Sequence, residues 1–284
     1  MDEDDEGFPR VTRYMLEQVF EVKAGEFETH YTAVITVIGD APLAALQHAL
    51  KSLNYEAPRY QTLQGASSGI WRKRSRHRLP HYGAGLIVFS EQSNLGLYLF
   101  AEEVDRYREA GISPLLVRPR TQRFTNAAKK MLARYQSYCP IVYLDESTSA
   151  DIAEGSDCFI GTVMTAVEAI LLPGVYPGMI CIDTADIACV HANSDLHVLV
   201  LPANRINELV ATLESVGTAA HSGALAALYG PHGLKLREIQ SVIESARRCV
   251  QEDATFLQSA IADEKRSAYT LYLVSSVGSS FDTR

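Results

Sequence analysis

Short apolar runs rich in β-branched residues alternate with segments of helical periodicity through the first half of this chain, and no other feature limits its possible folds as much. "YTAVITVIG" (31–39) reads as a strand and "PLAALQHALKSL" (42–53) as the helix behind it. "GLIVF" (85–89) is a second strand, followed by the helix "LYLFAEEVDRYREAG" (97–111). Leu97, Phe100, Ala101 and Val104 fall on one face of that helix, and Gly111 ends it. "ISPLLV" (112–117), a helix near 123–137 and "CPIVYL" (139–144) continue the series. Strands separated in this way by helices pair in parallel and carry helices on both faces. The expected class is α/β.

"DCFIGTVMTAVEAILLPG" (157–174) is apolar nearly all round, the mark of a helix buried on every side and suited to connect two layers or domains. The pattern then changes. Strands at 196–201, 224–230, 254–261 and 268–277, with helices at 203–219 and 234–250, describe a compact α+β unit. With 284 residues there is room for two modest domains or one large one. We divide the chain into an extension (1–30), a first domain (31–172) with core helix 157–172, and a second domain (173–284). Tyr14, Phe20 and Phe27 precede the first expected strand as a small packing extension.

The stretch "GVYPGMICIDTADIACV" (174–190) places a short strand, Met179 to Ile182, directly before Asp183 and Asp186, with a helix opening at Thr184. Carboxylates are costly to bury unpaired. Two at such a junction either cap the helix or face a partner or ligand. The residues alone leave both readings open.

Other chemistry is sparse. The five cysteines (139, 158, 181, 189, 249) are odd in number and scattered, the usage of a reducing compartment, so a cytoplasmic location is expected. The acidic start "MDEDDEGF" is no secretory signal, and no apolar run reaches the roughly 18 residues a membrane span needs. His191 and His197 are near each other in sequence, but no further ligand pattern joins them, and no metal site is expected. A net charge of −8 opposes general nucleic-acid affinity while leaving room for a local basic patch. One such patch is "GIWRKRSRHRLPHYG" (69–83), with Arg72, Lys73, Arg74, Arg76 and Arg78. It reads as a solvated loop, as a site for an acidic partner or nucleic acid, or as a replacement anion site. Trp71 and Tyr82 flank it without interleaving, which weakens the single-stranded nucleic-acid reading. Arg118, Arg120 and Arg123 form a second basic group after a strand, facing a ligand crevice at the carboxyl end of the sheet or, as we prefer, lying on the surface.

Taken in order, these elements resemble the FtsZ/tubulin superfamily from about residue 31 to 278. "AVITVIG" is similar to the first strand of its nucleotide domain, and "GLIVF" with the helix containing "AEEV" to the strand and helix flanking its phosphate loop. Residues Pro177 to Ile187 resemble the FtsZ synergy loop, with Cys181 where the family has asparagine. "GALAALYGPHGLKLREIQSV" resembles the segment that opens its last long helix, and "AYTLYLVSSVG" its final strand. The resemblance implies a Rossmann-like parallel-sheet domain of the tubulin/FtsZ nucleotide-domain type, a buried connecting helix, and an α+β C-terminal domain that includes the synergy-type loop 177–187.

It also implies a composite active site, in which one subunit holds GTP and the next supplies synergy-loop carboxylates to orient the attacking water. Asp183 and Asp186 keep that half. The nucleotide half is degenerate. Of the first glycine-rich loop only Gly39 remains, followed by Asp40, Ala41 and Pro42. Of the second, "SEQSNLGLYL" keeps Gly96 in place of the last signature glycine and Ser93 in place of a threonine, with Glu91 where phosphates would lie. Phosphate loops need glycine because backbone N–H groups must approach closely with no Cβ between. The expectation is therefore a pseudo-GTPase with no cofactor, or GTP with Mg if the site works by unfamiliar means. The expected partner is the chain itself or an ordinary FtsZ-type filament protein, in cell division or a related system. A self-polymerising GTPase and a scaffold acting through residues 71–83 are the alternatives. FtsZ chains continue past the final strand into a linker and a tether-binding tail, and this sequence ends at "SSFDTR", so membrane recruitment by that route is not expected.

Overall fold

The computed structural model of the chain describes residues 13–24, 27–38, 59–64, 83–89, 94–117, 124–144, 156–175, 179–180, 182, 184–191, 194–216 and 223–277. Among them are ten strands: β1 (Arg13–Ala24), β2 (Phe27–Ile38), β3 (Arg59–Gln64), β4 (Gly83–Phe89), β5 (Pro114–Val117), β6 (Ile141–Leu144), β7 (Asp195–Ala203), β8 (Gly223–Gly230), β9 (Thr255–Ala262) and β10 (Tyr269–Val277). The helices are α1 (Asn94–Glu109), α2 (Asn126–Tyr135), α3 (Ser156–Ala166), α4 (Leu172–Val175), α5 (Thr184–His191), α6 (Ile206–Ser215) and α7 (Leu236–Arg248). A π-turn, Val167–Leu171, joins α3 to α4.

All ten strands form one sheet in the order β3-β1-β2-β4-β5-β6-β7-β10-β8-β9. Strands β2, β4, β5, β6 and β7 run parallel. β10 lies antiparallel between β7 and β8, and β9 closes the edge parallel to β8. The expected α/β class is found, with a parallel core and a mixed second half.

Alternation along each strand divides the interior in two. On one face Leu86, Val88, Leu115, Val117, Val142, Leu196, Val198, Leu225, Ala227, Val274 and their neighbours meet α5 and the long helix made of α3, the π-turn and α4 (156–175). This layer holds residues from both sides of position 173. On the other face Ile87, Leu116 and Ile141 meet α1 and α2, and Ala224, Ala226, Leu228, Leu271 and Leu273 meet α6 and α7.

Helix ends follow their local chemistry. Thr125 caps α2, its Oγ1 accepting the Ala128 N–H at 3.2 Å. After α1, Gly111 takes φ 74°, and the Ile112 N–H reaches back to the Tyr107 carbonyl at 3.0 Å. That is the left-handed stop the sequence calls for. α1 crosses β4 where Gly85 leaves room for the Tyr107 ring, and the buried Tyr107 hydroxyl shares a 3.1 Å hydrogen bond with Thr36 Oγ1. Desolvation, then the nearby Glu103 charge, pushes the Tyr107 phenol well above its ordinary range, so it stays neutral.

Three segments differ from the sequence reading, one of them β3, an unexpected strand at Arg59–Gln64 that pairs antiparallel with β1. Part of the N-terminal extension is a full strand: β1 pairs antiparallel with β2 along its whole length, and β2 starts at Phe27 rather than residue 31. Gly25 and Glu26 separate the two strands, a two-residue connection that suits a hairpin. The expected strand Met179 to Ile182 is instead a single antiparallel bridge, Ile180 to Ala260. The chain enters α5 at Thr184, too soon after that bridge for a ladder to build. The helix expected at 42–53 lies outside the described residues.

β7 opens on Asp195, which is fully buried and accepts the Ile141 N–H at 3.0 Å on Oδ1. Desolvation raises its pKa, opposed by that bond, by Gln136 and by the His197 charge. A carboxyl raised in the folded state binds its proton more tightly there than in the unfolded chain. It therefore contributes stability that is complete below about pH 4 and is lost as pH rises through the folded value. Asp195→Asn keeps an acceptor for Ile141 and removes the titration. Urea midpoints measured from pH 4 to 7 should fall less steeply in the variant than in the parent protein.

Candidate functional site

The carboxyl ends of β2 and β4 lie side by side, with Ile38 in register with Phe89. Val117, the last residue of β5, has an interior partner, Val88 of β4. The segments carrying Gly39 and Asp40, then Glu91 and Ser93, then Arg118, Arg120 and Arg123, all leave this one end of the sheet, where open α/β folds hold ligands. Those residues themselves lie outside the described ones. β4 ends at Phe89 and α1 begins at Asn94, which fixes the intervening segment as Ser90, Glu91, Gln92 and Ser93, without glycine. Gly96 is in the first turn of α1 and is buried.

The second candidate region is built on α5. Ile187 and Val190, three apart, are buried against β8, β9 and β10. Asp186 and Cys189, also three apart, are exposed. The approach is tied to β9: the Met179 N–H donates to the Ala260 carbonyl at 2.6 Å, and Ser259 Oγ donates to the Ile180 carbonyl at 3.2 Å. Met179 remains 45% exposed, a large apolar side chain beside the acidic turn. The result is an exposed carboxylate on a helix whose other side is anchored in the core. Asp183 and Cys181 lie outside the described residues, as do Arg72, Lys73, Arg74, Arg76, Arg78, Trp71 and Tyr82.

The sequence reading missed a polar cluster under the long helix. Glu168, in the π-turn, has Arg266 Nη2 at 2.5 Å from its Oε1, and its Oε2 accepts from the Tyr272 hydroxyl. Its backbone carbonyl accepts the Tyr229 hydroxyl at 2.6 Å. Arg266 also lies 3.6 Å from Asp263, donates to Thr270 Oγ1 at 3.4 Å, and stacks 4.6 Å above the Tyr229 ring. Tyr229 and Tyr272 meet edge to face at 5.5 Å. Burial, then the Glu168 charge, raises the Tyr272 phenol, so it remains a donor. One signal was available: Glu168 is the only charged residue between Phe159 and Gly174.

Elsewhere the chemistry is quiet. Burial, then Asp195, pushes the Cys139 thiol up, and burial raises Cys249 against the opposing Arg248 charge, so neither is a ready nucleophile. His197 is exposed and tilted against Tyr143 at 5.3 Å. Among the described residues no group of three or more His, Cys, Asp or Glu is placed to hold a metal ion, and no helix is long and apolar enough to cross a membrane.

This architecture is an FtsZ/tubulin-like fold. The structure of an empty FtsZ dimer from M. jannaschii superposes with a TM-score of 0.54 at 18% identity, covering 69% of this chain and 63% of that one. A point mutant of M. jannaschii FtsZ gives a TM-score of 0.56 at 16% identity, covering 70% of this chain and 66% of that one. The chain thus spans just under two thirds of the length of these structures. No family model matches the sequence, and no curated protein does.

Proposed function

We propose that this chain works by protein–protein contact, docking through the Asp183/Asp186 segment on the nucleotide end of a neighbouring subunit of the same fold. That neighbour is a second copy or an FtsZ-type filament protein, and docking caps or modulates the filament in cell division or a related cytoskeletal system. The chain's own crevice holds no GTP in the usual way. The observation that carries this reading is the mounting of α5, with Asp186 exposed on a helix that Ile187 and Val190 fix in the core. A docking carboxylate needs that rigidity, because interface energy concentrates in a few pre-positioned groups. The M. jannaschii neighbour named a dimer gives a precedent for pairing of this fold, in that protein.

Co-sedimentation with FtsZ-type filaments tests the proposal. The parent protein should pellet with them, and Asp183→Ala/Asp186→Ala should weaken binding by about tenfold or more. Binding that ignores both substitutions removes the α5 face from the reading. Pelleting of the chain alone, dependent on GTP and accompanied by GTP hydrolysis, favours a self-polymerising GTPase instead.

A further inference from the structure

Pro173 stands inside the long helix, one residue into α4. Proline has no N–H, and its ring collides with the carbonyl four residues back, here that of Ala169. The helix widens at this point into the π-turn Val167–Leu171, where the Leu172 N–H reaches five residues back to the Val167 carbonyl. In the same register the Glu168 carbonyl would look to residue 173, which is the proline and has nothing to donate. The Tyr229 hydroxyl supplies the missing donor at 2.6 Å. The side chain of Glu168 is then held by Arg266 and Tyr272, on the β9–β10 connection and β10.

We infer that Tyr229, Glu168, Arg266 and Tyr272 form a clamp that fixes the helix in its π register at Pro173 and so positions the segment leading to Asp183 and Asp186. These are positioning residues, acting on the docking face through the helix. The competing arrangement is an unbroken α-helix, in which the Glu168 carbonyl takes the Leu172 N–H and the proline ring presses on the Ala169 carbonyl. A change of one residue in register turns the rest of the helix by about 100° and shifts it by about 1.5 Å. The clamp therefore holds a choice between two discrete directions in which the helix ends at α4. Its consequence for docking rests on the proposed function; its consequence for the helix does not.

Tyr229→Phe keeps the ring and removes only the donor, and Glu168→Gln keeps the side-chain volume and removes the charge that Arg266 grips. Amide hydrogen exchange on peptides covering residues 172–191 should quicken about tenfold in either variant, the size expected from leaving one buried partner unmade, while α7 keeps its protection. Docking should weaken by a similar factor. Tyr272→Phe, which spares both the Glu168 carbonyl and the Arg266 pair, should have the smaller effect on exchange. Acceleration spread evenly over the whole chain, α7 included, would reduce the cluster to ordinary packing and overturn the inference, as would unchanged exchange at 172–191. Local acceleration in a protein whose parent form never pellets with filaments leaves the clamp standing and removes the docking proposal.

Discussion

Gly85→Ala is expected to destabilise the protein by about 3 kcal/mol, at the upper end of what overpacking a core costs. A Cβ at position 85 would fall against Tyr107 Cε1 and within 2.8 Å of Cδ1, closer than carbon atoms approach in real proteins. Relief by moving the ring is costly, because Tyr107 has no exposed surface and its hydroxyl is bonded to Thr36. The loss is a substantial part of the roughly 5–15 kcal/mol that holds a typical domain together. Urea unfolding of the variant measures it directly. A double variant, Gly85→Ala with Tyr107→Leu, should lose less than the sum of its parts, since losing the ring makes room for the added methyl, which fills part of the space left. A Gly85→Ala midpoint equal to that of the parent protein would show that the close approach of α1 and β4 is not a constraint.

The second large effect concerns nucleotide. Calorimetry with GTP or GDP and Mg²⁺ at submillimolar ligand is expected to give no binding heat, and no thermal stabilisation should accompany it. The four residues from Ser90 to Ser93 offer no glycine for backbone approach, and Glu91 adds a negative charge. Two unit charges about 6 Å apart at an effective dielectric near 20 repel by about 3 kcal/mol, roughly two decades of affinity before the lost backbone donors are counted. Pro42 removes one further donor from the first loop. Micromolar binding would mean that "SEQSNLGL" is a working phosphate loop, and the docking proposal would then need its nucleotide-free premise replaced.

Much of the fold was legible because its strands are short, apolar and bounded. "GLIVF" lies wholly inside β4, "ALAALYG" (224–230) covers all of β8 but its first residue, and Gly111 marks the end of α1. β1 was missed for a physical reason. Its alternation is interrupted by Gln18 on one side and by Met15 and Val19 on the other, and a strand in a hairpin is stabilised by its partner more than by its own pattern. Asp186 at the head of a helix followed from the sequence, whereas the way that helix is anchored required β9 and β10 in place. The clamp was hidden for a different reason. Pro173 and Glu168 were both in view, but Tyr229, Arg266 and Tyr272 lie 61 to 104 residues away from Glu168 and meet it only in the folded chain.

The position of β10 has a consequence for synthesis. The strand latest in sequence among those described sits in the interior of the sheet, between β7 and β8. While the chain emerges from the ribosome, β8 and β9 can pair with each other but cannot join the parallel strands until residue 277 has cleared the tunnel. Until then β7 and β8 each present an open edge, the kind of surface that recruits chaperones or stray strands. The two halves of this protein become one only once β10 has been made, so premature termination before β10 should leave an aggregation-prone product rather than a shorter functional one.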